Sequence, residues 1–246
     1  SEEELLRRIR ELLKKALEDN KDVLREIEEL LRKVTEDNDR VLEEIRKLLE
    51  EVDEVVKRAG VDEELLKLIE DILRTEKRVL EDWKRLVEET RKAVEDLLRE
   101  LERLSREVVE RVERLLDELR RRNDEDVVRK IAREVEKIVD THRKVVDDIR
   151  RKVEEIVKKH EELLRDIERK VEEIVRRLKE ILERVDKDEL RRVVEKIEKV
   201  LRDVVRALRE LVRINARVLE EILRLIEELV RRNAEVLKRI LELVAT

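Results

Sequence analysis

The chain has 246 residues, 54% of them charged and 40% hydrophobic, with 63 basic and 69 acidic side chains leaving a formal net charge of −6. It contains no Cys, Pro or Met, one Gly and a single aromatic residue, Trp83. That composition excludes a disulfide framework, a thiolate nucleophile and a Cys-based zinc site, and leaves the redox compartment open. It also argues against nucleic acid as a partner, which calls for a basic stripe and, where bases are stacked, for aromatic side chains.

Such a narrow alphabet, dominated by Glu, Arg, Lys, Leu, Val and Ile, reads as coiled coil or long helix. Start and stop signals divide it into four pieces of about 60 residues. Ser1 with Glu4 forms a capping box, and the first helix is expected over 1–59, ended by Gly60 in a left-handed C′ conformation. Asp62 caps a second helix over 62–122, which closes on Arg120, Arg121 and Arg122, cations suited to a C-terminal dipole, before Asn123. A third, capped by Asp124, is expected over 124–185. After an Asp186-Lys187 turn, Asp188 caps a fourth, 188–246.

Each helix would be ~90 Å long at 1.5 Å per residue. Connections of two or three residues force neighbours to lie antiparallel. The fold class is therefore all-α, a single-domain, up-down-up-down four-helix bundle. Charges of opposite sign alternate at helical spacing: Glu3 precedes Arg7, Glu4 precedes Arg8 and Glu28 precedes Arg32. Apolar runs stop at two or three residues, far short of a bilayer span, and no segment has the layout of a secretion signal. Neither a membrane nor a cellular address is expected.

The apolar residues recur every 18 positions. In the first helix Leu5, Val23 and Val41 keep that step, as do Ile9, Ile27 and Ile45. The second holds it at Leu65, Trp83, Leu101 and Leu119, the third at Ile131, Ile149, Ile167 and Val185, and the fourth at Leu190, Leu208, Ile226 and Val244. Eighteen residues make five turns of 3.6, so the apolar face does not drift. Seven-residue repeats drive left-handed supercoils and eleven-residue repeats right-handed ones, and their sum predicts untwisted helices.

Phased 18-residue rows, Asp caps, minimal loops and a Glu/Arg/Lys exterior resemble de novo designed straight helical bundles, including designed cage proteins with buried hydrogen-bonded polar layers. The likeness covers the whole chain and is one of style, without a catalytic motif. It implies a structural scaffold with recombinant cytoplasmic expression. Unlike switchable cages, the chain has no flexible Gly/Ser linker and no releasable latch.

Against this background the polar members of apolar rows stand out. His142 and His160, the only histidines, differ by 18 and are followed in their row by Leu178. Asn20 and Asn38 precede Val56, while Asn215 and Asn233 follow Ile197. In the second helix Ser105 shares a row with Ile69 and Val87, and Thr90 with Ile72 and Val108. Counting turns from each connection places Asn20, Ser105, His142 and Asn233 at one level. Asn38, Thr35, Thr90, His160 and Asn215 fall at another, ~27 Å away at 1.5 Å per residue.

The expected role of the two layers is register. Aliphatic cores slide by a turn at little cost, whereas a displaced polar layer leaves donors unsatisfied. A zinc site needs three converging ligands, and each layer has one histidine and no carboxylate in a core row. A nucleophile would need Ser105 beside His142 with an orienting acid and an oxyanion hole, in an interior with no pocket. No catalytic residue, metal or cofactor is therefore expected. A monomeric scaffold that needs no partner is the leading reading. The alternatives are self-association through the more apolar fourth helix, which adds Ile214, Leu225 and Leu243 beside its main face, and a pH response through the histidines.

Overall fold

The computed structural model describes residues 2–58, 63–122, 125–184 and 188–245. These residues form four α-helices and no strand: α1 (Glu2–Arg58), α2 (Glu63–Arg121), α3 (Glu125–Arg184) and α4 (Asp188–Ala245). The sequence explains why each runs 57 to 60 residues without a break. Proline is absent, and the lone glycine lies outside the described residues, so no described helix interior carries either of the two strongest breakers. The described helices fall within the expected ranges; α4 begins at Asp188 as expected, and α2 stops at Arg121, one residue short of the expected Arg122. Arg122 still donates its backbone N–H to the Glu118 carbonyl at 2.9 Å, although it lies beyond the last residue of α2.

Charges at the ends suit the dipoles in part. Lys57 and Arg58 close α1, Arg120 and Arg121 close α2, and Arg184 closes α3. Asp188 and Glu189 open α4. Cations near a C-terminus and anions near an N-terminus each contribute some tenths of a kcal/mol at exposed positions. The expected capping and turn residues Ser1, Gly60, Asp62, Asn123, Asp124, Asp186 and Lys187 lie outside the described residues.

Two compact units divide the chain, each assembled from parts of all four helices. One comprises Ser1–Leu31, Lys92–Glu154 and Val218–Thr246, the other Arg32–Arg91 and Glu155–Arg217. In the first, Ile9 and Leu13 of α1 pack with Val112, Leu115, Leu116 and Leu119 of α2. The same cluster takes in Ile131, Val135 and Ile138 of α3 and Leu237, Ile240 and Val244 of α4.

In the second unit α4 dominates the core: Val193, Ile197, Leu201, Val204, Leu208 and Leu211 are among its buried residues. Ile45 and Leu49 of α1 and Ile167 and Leu178 of α3 join them, with Leu66 of α2 at the margin. Burial of α4 answers a question its sequence raises. Leu225, one of its additional apolar residues, is buried, Ile214 and Leu243 are half-buried, and no large hydrophobic is exposed among the described residues. The extra apolar surface of α4 is directed largely inward.

The 18-residue step is visible in burial. Ile9, Ile27 and Ile45 are each 0% exposed, so five helical turns return the chain to an equally buried position. Ile131, Ile149 and Ile167 behave alike on α3, all of them buried. Every such side chain withdraws roughly its full apolar area from water, a gain of about 1.5–3 kcal/mol each.

The exterior carries ion pairs. Several link an acidic residue to an arginine four positions later on one helix: Glu102–Arg106 at 2.9 Å, Glu173–Arg177 at 3.1 Å and Glu228–Arg232 at 2.9 Å. Others cross between helices within a unit, as Lys130–Glu118 at 3.2 Å and Arg150–Glu227 do in the first and Arg209–Glu168 at 2.8 Å in the second. No helix among the described residues is long and apolar enough to cross a membrane.

Candidate functional site: buried polar residues in apolar rows

All six amide and imidazole residues singled out by the 18-residue rows are buried. Asn20, Asn38, His142, His160, Asn215 and Asn233 are between 1% and 8% exposed, and they are the buried polar side chains among the described residues. Thr35, one turn before Asn38, is half-buried. The side chains of Thr90, Ser105 and Trp83 lie outside the described residues.

The units share these residues evenly. Asn20, His142 and Asn233 belong to the first, and Asn38, His160 and Asn215 to the second. Each unit thus carries one imidazole on α3 and one carboxamide on each of α1 and α4.

In the second unit the two carboxamides bond directly. Asn38 donates Nδ2 to Asn215 Oδ1 at 2.8 Å, and Asn215 returns Nδ2 to Asn38 Oδ1 at 3.0 Å. Asn38 Nδ2 also donates to the Val34 carbonyl of its own helix at 2.7 Å. The amide of Asn38 therefore uses both its N–H groups and its oxygen. The carbonyl of Val34 also fixes the orientation of the pair. If both amides turned over, the reciprocal bonds would survive but Asn38 Oδ1 would confront the oxygen of Val34.

Burying such groups without partners costs on the order of 1–3 kcal/mol each, whereas the bonded pair offsets its own desolvation. The back-bond to Val34 follows a habit of short polar side chains on helices, which reach the carbonyl four residues earlier. Thr141, beside His142, does the same on the exposed face, donating Oγ1 to the Lys137 carbonyl at 2.8 Å. Row spacing flags Asn38 and Asn215 as core residues, but the role of the Val34 carbonyl has no signature in the sequence.

The histidines differ chemically from the amides because they can gain charge. Burial pushes the imidazole of His160 down to about 4 from its ordinary value near 6.5, and lowers that of His142 for the same reason. Both rings are therefore neutral at pH 7, each offering one donor and one acceptor nitrogen. Nε2 of His160 is shut off from solvent and makes no hydrogen bond among the described residues. The residue does take part in another interaction.

Chemically, the second unit holds a bonded amide pair and a buried neutral imidazole, and the first unit a buried neutral imidazole with two buried amides. No group of three or more His, Cys, Asp or Glu among the described residues is placed to hold a metal ion. No protein family, curated protein or solved structure matches the chain.

Proposed function

We propose that the protein is a structural scaffold of the straight, designed-bundle type, in which buried polar layers set the register between helices. The observation that carries this reading is the Asn38–Asn215 pair. Two amides 177 positions apart meet at 2.8 and 3.0 Å inside an aliphatic core, where a displaced partner would leave both unsatisfied. Such a pair contributes little net stability but penalises every alignment except one.

The finer architecture in this proposal is an antiparallel, up-down-up-down four-helix bundle of untwisted helices. Within the second unit, ion pairs between α3 and α4 support opposite directions. From Glu168–Arg209 to Lys179–Glu198, α3 advances 11 residues while α4 retreats 11. Equal burial of Ile9, Ile27 and Ile45 supports an apolar face that stays in line without supercoiling.

Spin labels at exposed Arg40 on α1 and Arg213 on α4 test the register role. The native protein should give one narrow distance distribution. Asn38→Leu with Asn215→Leu should keep full helicity but broaden it, with added populations displaced by about one turn, ~5.4 Å. An unchanged narrow distribution in the double variant would remove the register role.

A second reading, an acid-responsive bundle, is favoured by the burial of two neutral imidazoles whose protonation is opposed by desolvation. It is compatible with the scaffold and differs in what happens below pH 6.5.

A further inference from the structure

One face of the second unit has a chemistry that the polar layers do not explain. Between α3 and α4 runs a groove of about 520 Å³, a volume in the range of small-molecule sites. At its floor show the edges of Val171, Val175 and Val205, of which Val171 and Val205 are 7% and 8% exposed and belong to the core. Along its walls stand Arg176, Lys179, Arg202, Arg206 and Arg209, facing only two carboxylates, Glu168 and Glu172. Five cations against two anions leave the lining with three positive charges, on a chain whose net charge is −6.

Neighbouring carboxylates offset part of this excess unevenly. Glu168 is held by Arg209 at 2.8 Å, and Glu198 by Arg202 at 2.5 Å, with Lys179 more distant from it at 3.9 Å. Arg206 stands 3.9 Å from Asp203 and keeps 83% of its side chain exposed. A long, loosely held guanidinium of that kind can swing onto an acidic group at little cost in lost pairing.

Val205 shares its row on α4 with Leu223 and Leu241, so this position carries the smaller side chain of the row. Val171 and Val175 face the gap with short, stiff, β-branched side chains. The result is an apolar trough with basic walls.

We propose that this α3–α4 groove is a binding site for a free, single-chain amphiphile with one acidic head, such as an alkyl sulfate or a fatty carboxylate. The aliphatic tail lies along the three valines, and the head is taken by Arg206 and Arg176. Guanidinium groups match the planar face of a carboxylate or two oxygens of a sulfate with paired N–H donors. A free molecule is favoured over a bilayer lipid because no large hydrophobic is exposed among the described residues, which leaves nothing described that would anchor the helices in a membrane. This inference does not depend on the register role of the polar layers.

Calorimetric titration of the intact chain with monomeric decyl sulfate tests it, with helicity followed in parallel. The expected result is one equivalent bound without loss of helicity. Decyl maltoside, with the same tail and a neutral head, and sodium sulfate, with no tail, should each bind at least tenfold more weakly. Arg176→Glu with Arg206→Glu, which reverses the walls while leaving the core untouched, should weaken decyl sulfate at least tenfold. Absence of saturable binding, equal affinity for decyl maltoside or for sulfate alone, or unchanged affinity in the Arg176→Glu/Arg206→Glu variant would overturn the proposal.

Discussion

Asn38 on α1 and Asn215 on α4 exchange amide hydrogen bonds in both directions, and Asn38 has a further bond to the Val34 carbonyl. Losing Asn215 therefore leaves Asn38 with one satisfied N–H and an idle oxygen, while losing Asn38 strands both bonded groups of Asn215. Either single replacement by leucine should destabilise the protein by about 1–3 kcal/mol, the cost of an unsatisfied buried polar group. The double replacement should recover most or all of that loss, because an aliphatic pair has nothing to leave unpaired. Denaturant midpoints of the four proteins give the coupling directly.

Acid should act through His160 with a defined sign and window. Its folded value is about 4, against an ordinary value near 6.5 in the unfolded chain. Between those values the unfolded chain binds a proton that the folded protein refuses, so this contribution is complete above pH ~6.5 and falls as pH drops toward 4. At about 1.36 kcal/mol per unit, the loss amounts to about 3 kcal/mol. Acid acts on more than one group, so the measurement is a difference. Stability of the native protein should fall more steeply from pH 7 to pH 4.5 than that of His160→Leu. His142→Leu should flatten the curve in the same direction, since burial lowers that imidazole too. Parallel curves would show that neither ring carries the acid response.

Core truncation should be costly at the fully enclosed row on α1. Ile27 has no exposed surface, and Ile27→Ala should destabilise by about 2–5 kcal/mol, Ile27→Val by about 0.5–1.5 kcal/mol. Ile9 and Ile45, equally enclosed, should give comparable values, as a face that does not drift requires. Thermal and chemical unfolding of the three alanine variants compare them.

Surface pairing should matter far less. Arg209 and Glu168 meet at 2.8 Å but keep 59% and 29% of their side chains exposed. Glu168→Gln should change stability by less than about 1 kcal/mol, and high salt should erase even that difference. Unfolding curves at low and high ionic strength give the comparison.

Much of this arrangement is legible in the sequence because one spacing rule governs it. An 18-residue step marks Asn20, Asn38, His142, His160, Asn215 and Asn233 as core positions, and all six are buried. Turn counting from Asn38 points to about position 212 on α4, one turn from its actual partner Asn215. The helix count and approximate ends follow from the distribution of breakers and caps.

Other features depend on properties that spacing does not carry. Which helices are direct neighbours follows from the order of helices around the core, so the α1–α4 contact of the amides was not in the pattern. The α3–α4 groove is lined by residues of two helices, and row spacing within one helix does not say which residues of another stand across from it. Thr90 and Ser105 share the logic of the other polar positions, but their side chains lie outside the described residues.

The reciprocity of the Asn38–Asn215 pair has one more consequence. A carboxamide is its own complement, so Asn38 would bond as well to Asn215 of a second copy as to that of its own chain. The pair fixes alignment but is blind to ownership. Only the covalent connections between helices, which keep the proper partner at high local concentration, favour the closed molecule over one that trades helices with a neighbour. Chains cut between α3 and α4 should therefore exchange fragments freely while retaining the same amide contact.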